Sequence, residues 1–281
     1  MQRRMNKQTV LKFSLYISYF FVGILFLFPL LWVLSLSFKT SKELYNVPPT
    51  LLPDNLQFEN YKHVIENNNI LAYLGNSVQV VALTVILTLI IVLPAAFALS
   101  RFKFKLKGLL LLGIILTQMI SAVVISIPLY RLFAELGLLN NFAILIIVYV
   151  AVVLPFSTWF LKGYFDTIPI ELDEAATVDG CNKFQILTRV LLPSSMPGIV
   201  SVTLLVAVQS WSQFVIPFIL LDMQSLYPVS VGIVNLQSTQ QAVTTHYLAA
   251  GSVLSILPVI VLFVLLQRFI VGALTTGAVK G

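Results

Sequence analysis

Residues Ser77–Leu99 read SVQVVALTVILTLIIVLPAAFAL, an apolar run that contains no Asp, Glu, Lys or Arg. About 20 such residues are enough for an α-helix to cross the roughly 30 Å hydrocarbon core of a bilayer. Five further stretches share this lack of charge and are long enough to cross: Phe13–Leu36, Leu109–Tyr130, Phe142–Leu161, Ile199–Leu221 and Leu248–Gln267. The sequence therefore predicts an all-α integral membrane protein with six transmembrane helices.

The overall composition agrees with lipid as the main solvent of the chain. Only 10% of the 281 residues are charged, and 58% are hydrophobic. A soluble domain of this length has about 25% charged residues. The single cysteine, Cys181, excludes an internal disulfide.

The distribution of basic residues predicts the orientation of the chain. Thirteen of the 17 Lys and Arg residues lie in the N-terminal segment, in Arg101–Lys107, in Lys162–Arg189 and near the C-terminus. These segments alternate along the chain with external loops that hold the rest. Because basic residues gather on the cytoplasmic side of a membrane, both termini are expected in the cytoplasm. The net charge of +6 then reflects topology and does not indicate nucleic-acid binding.

The six stretches lack the groups that ion coupling and catalysis require. Ion-coupled carriers usually hold the coupling ion on an ionisable residue within the membrane, and enzymes need a titratable or metal-binding constellation. His63 and His246 fall in external segments far apart in sequence, where each is expected at a wet surface and not on a metal. The sequence therefore predicts neither a catalytic nor a metal site.

Uncharged polar residues do occur in the third and fifth stretches. An amide in hydrocarbon is costly unless it is hydrogen-bonded, so these side chains should face other helices or a water-lined path. Hydrogen bonding between helices is one interpretation. The other is a path for a hydroxyl-rich solute, in which Gln209 and Gln213 share a helix face at i and i+4. The candidate path residues are Gln118, Gln209, Ser210, Trp211, Ser212 and Gln213.

The most informative segment lies between the fourth and fifth stretches. Pro169 suits the first turn of a helix, acidic residues follow at its positive end, and Gly180 can end it in the left-handed conformation. Leu172, Ala175 and Ala176 are expected to form one small apolar patch with an acidic rim. A second short helix is expected to run through Phe184, Leu187 and Leu191, until Pro193 and Pro197 interrupt it. Such a helix could be an ordinary connector, or it could insert into a cleft of another protein.

The motif in this segment resembles a known loop. The pattern Glu174-Ala175-Ala176-x3-Gly180-x9-Val190-x-Leu192-Pro193 is similar to the Glu-Ala-Ala loop of ABC importer permeases, with Val190 in place of the usual isoleucine. The whole chain resembles the maltose-permease type of this family, the MalG-like subunit of carbohydrate importers. Other similar motifs are Phe58-Glu59-Asn60-Tyr61, Asn76-Ser77, Ile127-Pro128-Leu129-Tyr130, Asp179-Gly180 and the tail Gly272-x4-Gly277-Ala278-Val279-Lys280-Gly281. The chain departs from the family at Ser121, where proline is common, and at Ser212-Gln213, where relatives have asparagine followed by an acid.

The resemblance implies roles for named residues. A single transmembrane permease domain would span residues 1–281, with a coupling loop at approximately 163–198. The residues expected to couple to the ATPase are Glu171, Leu172, Glu174, Ala175, Ala176, Asp179 and Gly180. The tail residues expected to contact it are Gly277, Ala278, Val279, Lys280 and Gly281.

The resemblance also implies partners. It predicts a homologous second permease, two ATP-binding subunits that bind ATP and Mg, an extracytoplasmic solute-binding protein, and the lipid of a bacterial-type cytoplasmic (inner) membrane. This chain itself would be neither an enzyme nor a binder of a cofactor. The spacing of Gly272 and Gly277 matches the start of a P-loop, but Ala278-Val279 stand where Lys-Ser/Thr must follow. Carbohydrate is the expected solute. The alternatives are another solute for the same kind of permease, or a secondary carrier.

Overall fold

The computed structural model describes residues 2–237 and 245–278. This part of the chain is helical, without a β-strand. Its α-helices are α1 (Gln2–Ser37), α2 (Glu59–Asn67), α3 (Ile70–Arg101), α4 (Lys107–Thr117), α5 (Ala122–Glu135), α6 (Phe142–Asp166), α7 (Glu171–Val178), α8 (Lys183–Gln185), α9 (Leu192–Ser194), α10 (Met196–Trp211), α11 (Val215–Leu220), α12 (Val229–Gly232) and α13 (Thr245–Ala278). A π-helical segment, Ile186–Leu191, joins α8 to α9.

Four helices of the described chain are long and apolar enough to cross a membrane as single elements. Their spanning segments are Lys12–Ser37, Ile70–Arg101, Phe142–Asp166 and Thr245–Arg268. Each contains one of the stretches predicted from the absence of charge. Up to six spans result if each of two sharply bent helix pairs also crosses, so the all-helical membrane fold is confirmed.

The third predicted stretch, Leu109–Tyr130, is not one continuous helix. Helices α4 and α5 meet at an angle of 89°. Ser121 has extended backbone dihedrals, and its side chain accepts a hydrogen bond from the N–H of Val123, as an N-cap residue does at the start of a new helix. The prediction of an unbroken span was wrong here because hydropathy does not register a polar cap inside an apolar run.

The fifth predicted stretch, Ile199–Leu221, is also broken. Helix α10 ends at Trp211, and α11 begins at Val215. Pro217 lacks an N–H and would crowd the carbonyl of Gln213, four residues earlier, in a continuous helix. That carbonyl instead accepts hydrogen bonds from the hydroxyls of Tyr149 (3.4 Å) and Ser230 (2.7 Å). The expectation that Gln209 and Gln213 share one helix face was therefore wrong.

The proline-rich segment before α10 also differs from its prediction. Pro193 does not end the second short helix, because the helical segment Lys183–Ser194 runs through it to the next residue. The turn falls after Ser194, where this segment and α10 meet at 82°. Pro197 lies in the first turn of α10, where its missing N–H would have no helical partner in any case.

The chain divides into two compact units, and the first comprises Met1–Ile70 and Ile233–Ile256. Within it, the buried Asn60 donates hydrogen bonds to the carbonyls of Ser37 and Lys39, both at 2.9 Å. These bonds attach α2, which contains Asn60 of the motif Phe58–Tyr61, to the end of α1.

The histidines of the first unit differ from their prediction. His246 is only 4% exposed, and its ring centroid lies 4.0 Å from that of Tyr247. Tyr247 also stacks on His63 at 4.2 Å. The prediction of a wet surface was wrong for His246, because the fold brings together two residues far apart in sequence.

The second unit comprises Leu71–Gly232 and Leu257–Gly281. One core cluster of this unit joins α3, α6, α7, the π-helical segment and α10, and its buried members include Phe97, Phe165, Ala176, Leu191 and Val202. A second cluster joins α3, α6 and α11 through residues such as Val80, Leu145 and Leu220. The first cluster attaches the short helices of the loop to the long apolar ones.

Candidate functional site

Helix α7 and its C-terminal stop form the centre of the first candidate site, the loop at residues 163–198. Gly180 has a φ of +83°, a conformation that costs most other residues free energy. The N–H of Gly180 donates to the carbonyl of Thr177, and that of Cys181 donates to the carbonyl of Ala176. This pair of bonds is a Schellman motif, so the predicted left-handed stop at Gly180 is confirmed. The helix begins at Glu171, two residues later than Pro169 suggested.

The side chains of α7 divide between an exposed and a buried face. Leu172 is 44% exposed and Val178 is 87% exposed, and Ala175 and Glu174 are exposed as well. Ala176 is buried in the core cluster of the second unit. The single patch predicted from Leu172, Ala175 and Ala176 is therefore divided, because the two alanines point to different sides of the helix.

The chain leaves α7 through a well-capped turn. The side chain of Asn182 accepts a hydrogen bond from the N–H of Gln185, and the side chain of Gln185 accepts one from the N–H of Asn182, both at 2.9 Å. This capping box starts α8, which carries Phe184 with 72% exposure. The exposed apolar surface of the loop therefore includes Phe184 of the second short helix as well as the residues of α7.

A buried ion pair, missed by the sequence reasoning, attaches α7 to α3. The Nε of Arg101 lies 2.5 Å from Oδ2 of Asp173, and both side chains are about 10% exposed. Arg101 also donates to the carbonyls of Phe165 and Ile168, both at 3.1 Å. No local pattern signals this pair, because 72 residues separate its members.

The second candidate site is a polar cavity of about 200 Å³ at the end of α10. It lies beside the break between α10 and α11, where backbone groups leave the helical hydrogen-bond pattern. Among the described residues, its lining includes no carboxylate and no cationic side chain. The lining residues are Tyr149, Val152, Val153, Gln209, Ser210, Ser212 and Gln213.

The hydroxyls of this cavity differ in their hydrogen bonding. Ser212 donates to the carbonyls of Val208 (3.0 Å) and Gln209 (3.3 Å). The buried hydroxyl of Ser210 has no hydrogen-bond partner among the described residues. Tyr149, which the sequence reasoning missed, supplies a ring as well as a hydroxyl. Amides, hydroxyls and an aromatic face together suit a neutral, hydroxyl-rich solute.

The structure brings together four of the six candidate path residues. Trp211 instead lines an apolar cavity of about 350 Å³ between α3, α10 and α13. Gln118 lies at the end of α4, beside a different apolar cavity that includes Trp159. Their positions in the sequence therefore did not show which other residues Trp211 and Gln118 would lie beside.

The other predicted features can be placed only in part. Gly277 and Ala278 belong to the last turn of α13, while Val279, Lys280 and Gly281 lie outside the described residues. Within the described chain, no group of three or more His, Cys, Asp or Glu residues is placed to hold a metal ion.

Known membrane transport proteins are similar to this chain in sequence. The family described as "Binding-protein-dependent transport system inner membrane component" matches residues 90–275. The inner membrane ABC transporter permease protein YcjP of Escherichia coli is 33% identical, over 98% of this chain and 99% of that protein. The diacetylchitobiose uptake system permease protein DasC of Streptomyces coelicolor is 31% identical, over 93% and 94%. The trehalose/maltose transport system permease protein MalG of Thermococcus litoralis is 31% identical, over 99% and 100%.

Solved structures share the fold. One chain of a bacterial ABC transporter that imports the acidic polysaccharide alginate superposes with a TM-score of 0.78 at 22% identity, over 92% of this chain and 96% of that one. A chain of a bacterial alginate ABC transporter in complex with an alginate pentasaccharide-bound periplasmic protein gives a TM-score of 0.64 at 14% identity, over 93% and 94%.

The family match and the inner-membrane relatives, together with the apolar spans, define a multi-pass transport protein of the cytoplasmic membrane. The chain belongs to the family of binding-protein-dependent transport system inner membrane components, and it is a permease subunit of the MalG-like type.

Proposed function

We propose that this permease forms one half of a translocation path for a carbohydrate, such as an oligosaccharide, and that ATP hydrolysis on separate subunits drives the import. The polar cavity at the end of α10 is the observation that carries this proposal. Amide, hydroxyl and phenol groups line it, with no carboxylate or cation among the described lining residues, and such groups can hydrogen-bond neutral hydroxyl groups. The relatives DasC and MalG belong to an uptake system for diacetylchitobiose and a transport system for trehalose/maltose, and they support the same solute class.

The loop at residues 163–198 is proposed to couple the permease to its ATPase. The exposed face of α7 offers Leu172, Ala175 and Glu174 to a cleft of the partner, and Glu171 and Asp179 add negative charge at its rim. Ala176 packs the buried side of α7 against the core cluster of the second unit. The positive φ of Gly180 sets the direction of the chain after α7. The tail Gly277–Gly281 is proposed to reach the same partner.

The whole assembly would contain this chain, a homologous permease, two ATP-binding subunits and an extracytoplasmic solute-binding protein. The ATP-binding subunits would hold ATP and Mg, and this chain would have no ATPase activity of its own. Closure of those subunits around ATP would move α7, and the spans would then change between inward- and outward-facing states. Residues 1–281 are proposed to act as one permease domain.

Six spans with both termini in the cytoplasm complete the proposal, and cysteine labelling can test this topology. In a Cys181→Ala background, a membrane-impermeant maleimide should label Asp54→Cys and Asp222→Cys from outside intact cells. Lys103→Cys and Lys183→Cys should react only after the membrane is opened, because basic segments stay on the cytoplasmic side. Labelling of Lys183→Cys from outside would contradict the orientation.

The solute class can be tested on the binding protein that co-purifies with the complex. We expect mass spectrometry of its released ligand to find a neutral or weakly charged carbohydrate, because the described lining of the cavity consists of uncharged side chains. Uptake of the labelled form of that carbohydrate by cells with and without this chain provides the control. A released peptide, amine or inorganic anion as the only ligand would contradict the carbohydrate proposal and leave the permease class intact.

A further inference from the structure

The guanidinium of Arg101 is bonded to three different parts of the second unit. Its Nε pairs with Asp173 of α7. Its terminal nitrogens donate to the carbonyl of Phe165, in the last turn of α6, and to that of Ile168, in the link to α7. The hydroxyl of Ser100 accepts a further bond at 3.3 Å. One side chain at the end of α3 therefore contacts α6, the link and α7.

The neighbouring residue reinforces the same junction. The hydroxyl of Ser100 donates to Oδ1 of Asp166 at 2.7 Å, and a terminal nitrogen of Arg101 donates to the carbonyl of Phe165. The end of α3 is thus bonded twice to the end of α6. The charge of Arg101 also lies near the C-terminal carbonyls of α6, where a cation stabilises the helix dipole.

Burial makes the contact between Arg101 and Asp173 strong and directional. Charges that are shielded from water interact more strongly than surface charges, and removing one partner leaves the other charge buried and unpaired. Lysine cannot replace the contact fully, because its ammonium lacks the planar fork with which arginine reaches several acceptors. Oδ1 of Asp173 is buried and has no hydrogen-bond partner within the described chain, so its attachment to α3 depends on the bond through Oδ2.

We propose that Arg101 is a positioning residue for transport coupling, which makes α7 follow the movement of α3 and α6. This inference rests on the proposed docking of the ATPase to α7. A rigid link is needed because α7 has only eight residues, of which Asp173 and Ala176 are buried, so the ion pair of Asp173 is one of its two buried attachments. With Arg101 in place, a displacement of α7 by the ATPase reaches the long helices directly.

The test uses the complete complex in lipid nanodiscs, with Arg101→Met and Arg101→Lys. The measurement is the ratio of ATPase rates with and without the solute-loaded binding protein. For Arg101→Met this ratio should fall from its several-fold value to close to one, because the two sites are then no longer coupled, while the ATPase subunits still co-purify. Arg101→Lys should give an intermediate ratio. Lys162→Gln is the matched control, since it breaks an equally short ion pair that lies within α6 alone, and its ratio should stay within twofold of the unmodified complex.

A second variant tests the positioning role of Arg101 if the complex with Arg101→Met does not assemble. Asp173→Asn keeps the shape of the side chain and the bonds of Arg101 to Phe165 and Ile168, and it removes only the charge in α7. It should also lower the ratio, by more than Lys162→Gln does. A normal ratio in Asp173→Asn, with the ATPase bound, would overturn the positioning role. Failure of the docking proposal itself would appear differently, as normal ATPase recovery after changes to the exposed face of α7.

Discussion

Replacement of Gly180 by valine is expected to lower the recovery of the ATPase with the purified permease by roughly 5- to 30-fold. The φ of Gly180 is +83°, and the left-handed conformation costs a residue with a Cβ about 1–2 kcal/mol, where 1.4 kcal/mol is tenfold in affinity. The space around this glycine is open, since an added Cβ would meet no atom of the described residues within 4 Å. The free-energy cost of the valine therefore arises from the positive φ and not from a steric clash. We expect the chain to relieve this cost by leaving α7 in a different direction.

Two matched variants separate this cause from a general loss of folding. Gly180→Asn should retain most of the ATPase, because asparagine tolerates the left-handed region. Glu174→Lys should lose it, because the change reverses an exposed charge in the first turn of α7 and opposes the helix dipole. Asp54→Lys makes the same charge change on an exposed residue outside the loop and should behave normally. Normal ATPase recovery and uptake in both Gly180→Val and Glu174→Lys would contradict the coupling role of α7.

The second large effect is expected at the polar cavity. Leucine at both Gln209 and Gln213 should lower the kcat/KM of solute uptake by roughly 30-fold, because each lost hydrogen bond is worth on the order of 1 kcal/mol. Each single change should lower it by roughly fivefold. Uptake is measured in cells that contain equal amounts of assembled complex, and the affinity of the binding protein for its solute should not change.

Gln118→Leu is the control for the cavity. Gln118 was a candidate path residue in the sequence, but it lies beside a separate apolar cavity, so leucine there should have little effect. Tyr149→Phe removes one hydroxyl that bonds the broken backbone at Gln213, and it should resemble a single glutamine change. Unchanged uptake with leucine at both Gln209 and Gln213 would favour hydrogen bonding between helices as their role.

The sequence was a good guide where one local property decides the structure. Absence of charge over about 20 residues was sufficient to find the helices that contain Ser77–Leu99 and Phe142–Leu161. Glycine after an acidic, alanine-rich helix was sufficient for the stop at Gly180, because few other residues adopt that backbone conformation.

The breaks in the third and fifth stretches were less visible because mean hydropathy treats a capping serine or a proline as a small perturbation. Ser121 and Pro217 carried usable signals. A serine can cap a new helix, and a proline deprives the carbonyl four residues earlier of its partner. Pro217 thus indicates that Gln213 needs another donor, although not that Tyr149 supplies it.

Contacts between distant residues could not be read from a single sequence. The pair of Arg101 and Asp173 joins helices 72 residues apart, and each residue alone resembles an ordinary surface charge. The same holds for His246, whose burial depends on packing within the first unit. These are properties of the tertiary fold, and no pattern within one element specifies them.

ATP hydrolysis by the complete complex in lipid nanodiscs tests the proposed importer most directly. The complex of this permease, its companion and the two ATP-binding subunits is measured with no binding protein, with the empty binding protein and with the carbohydrate-loaded one. We expect the loaded binding protein to raise the ATPase rate several-fold above the other two conditions, and uptake into proteoliposomes to require ATP. Two results together would contradict an ATP-driven carbohydrate importer. One is uptake without ATP on an imposed ion gradient, and the other is an ATPase rate that the loaded binding protein does not change.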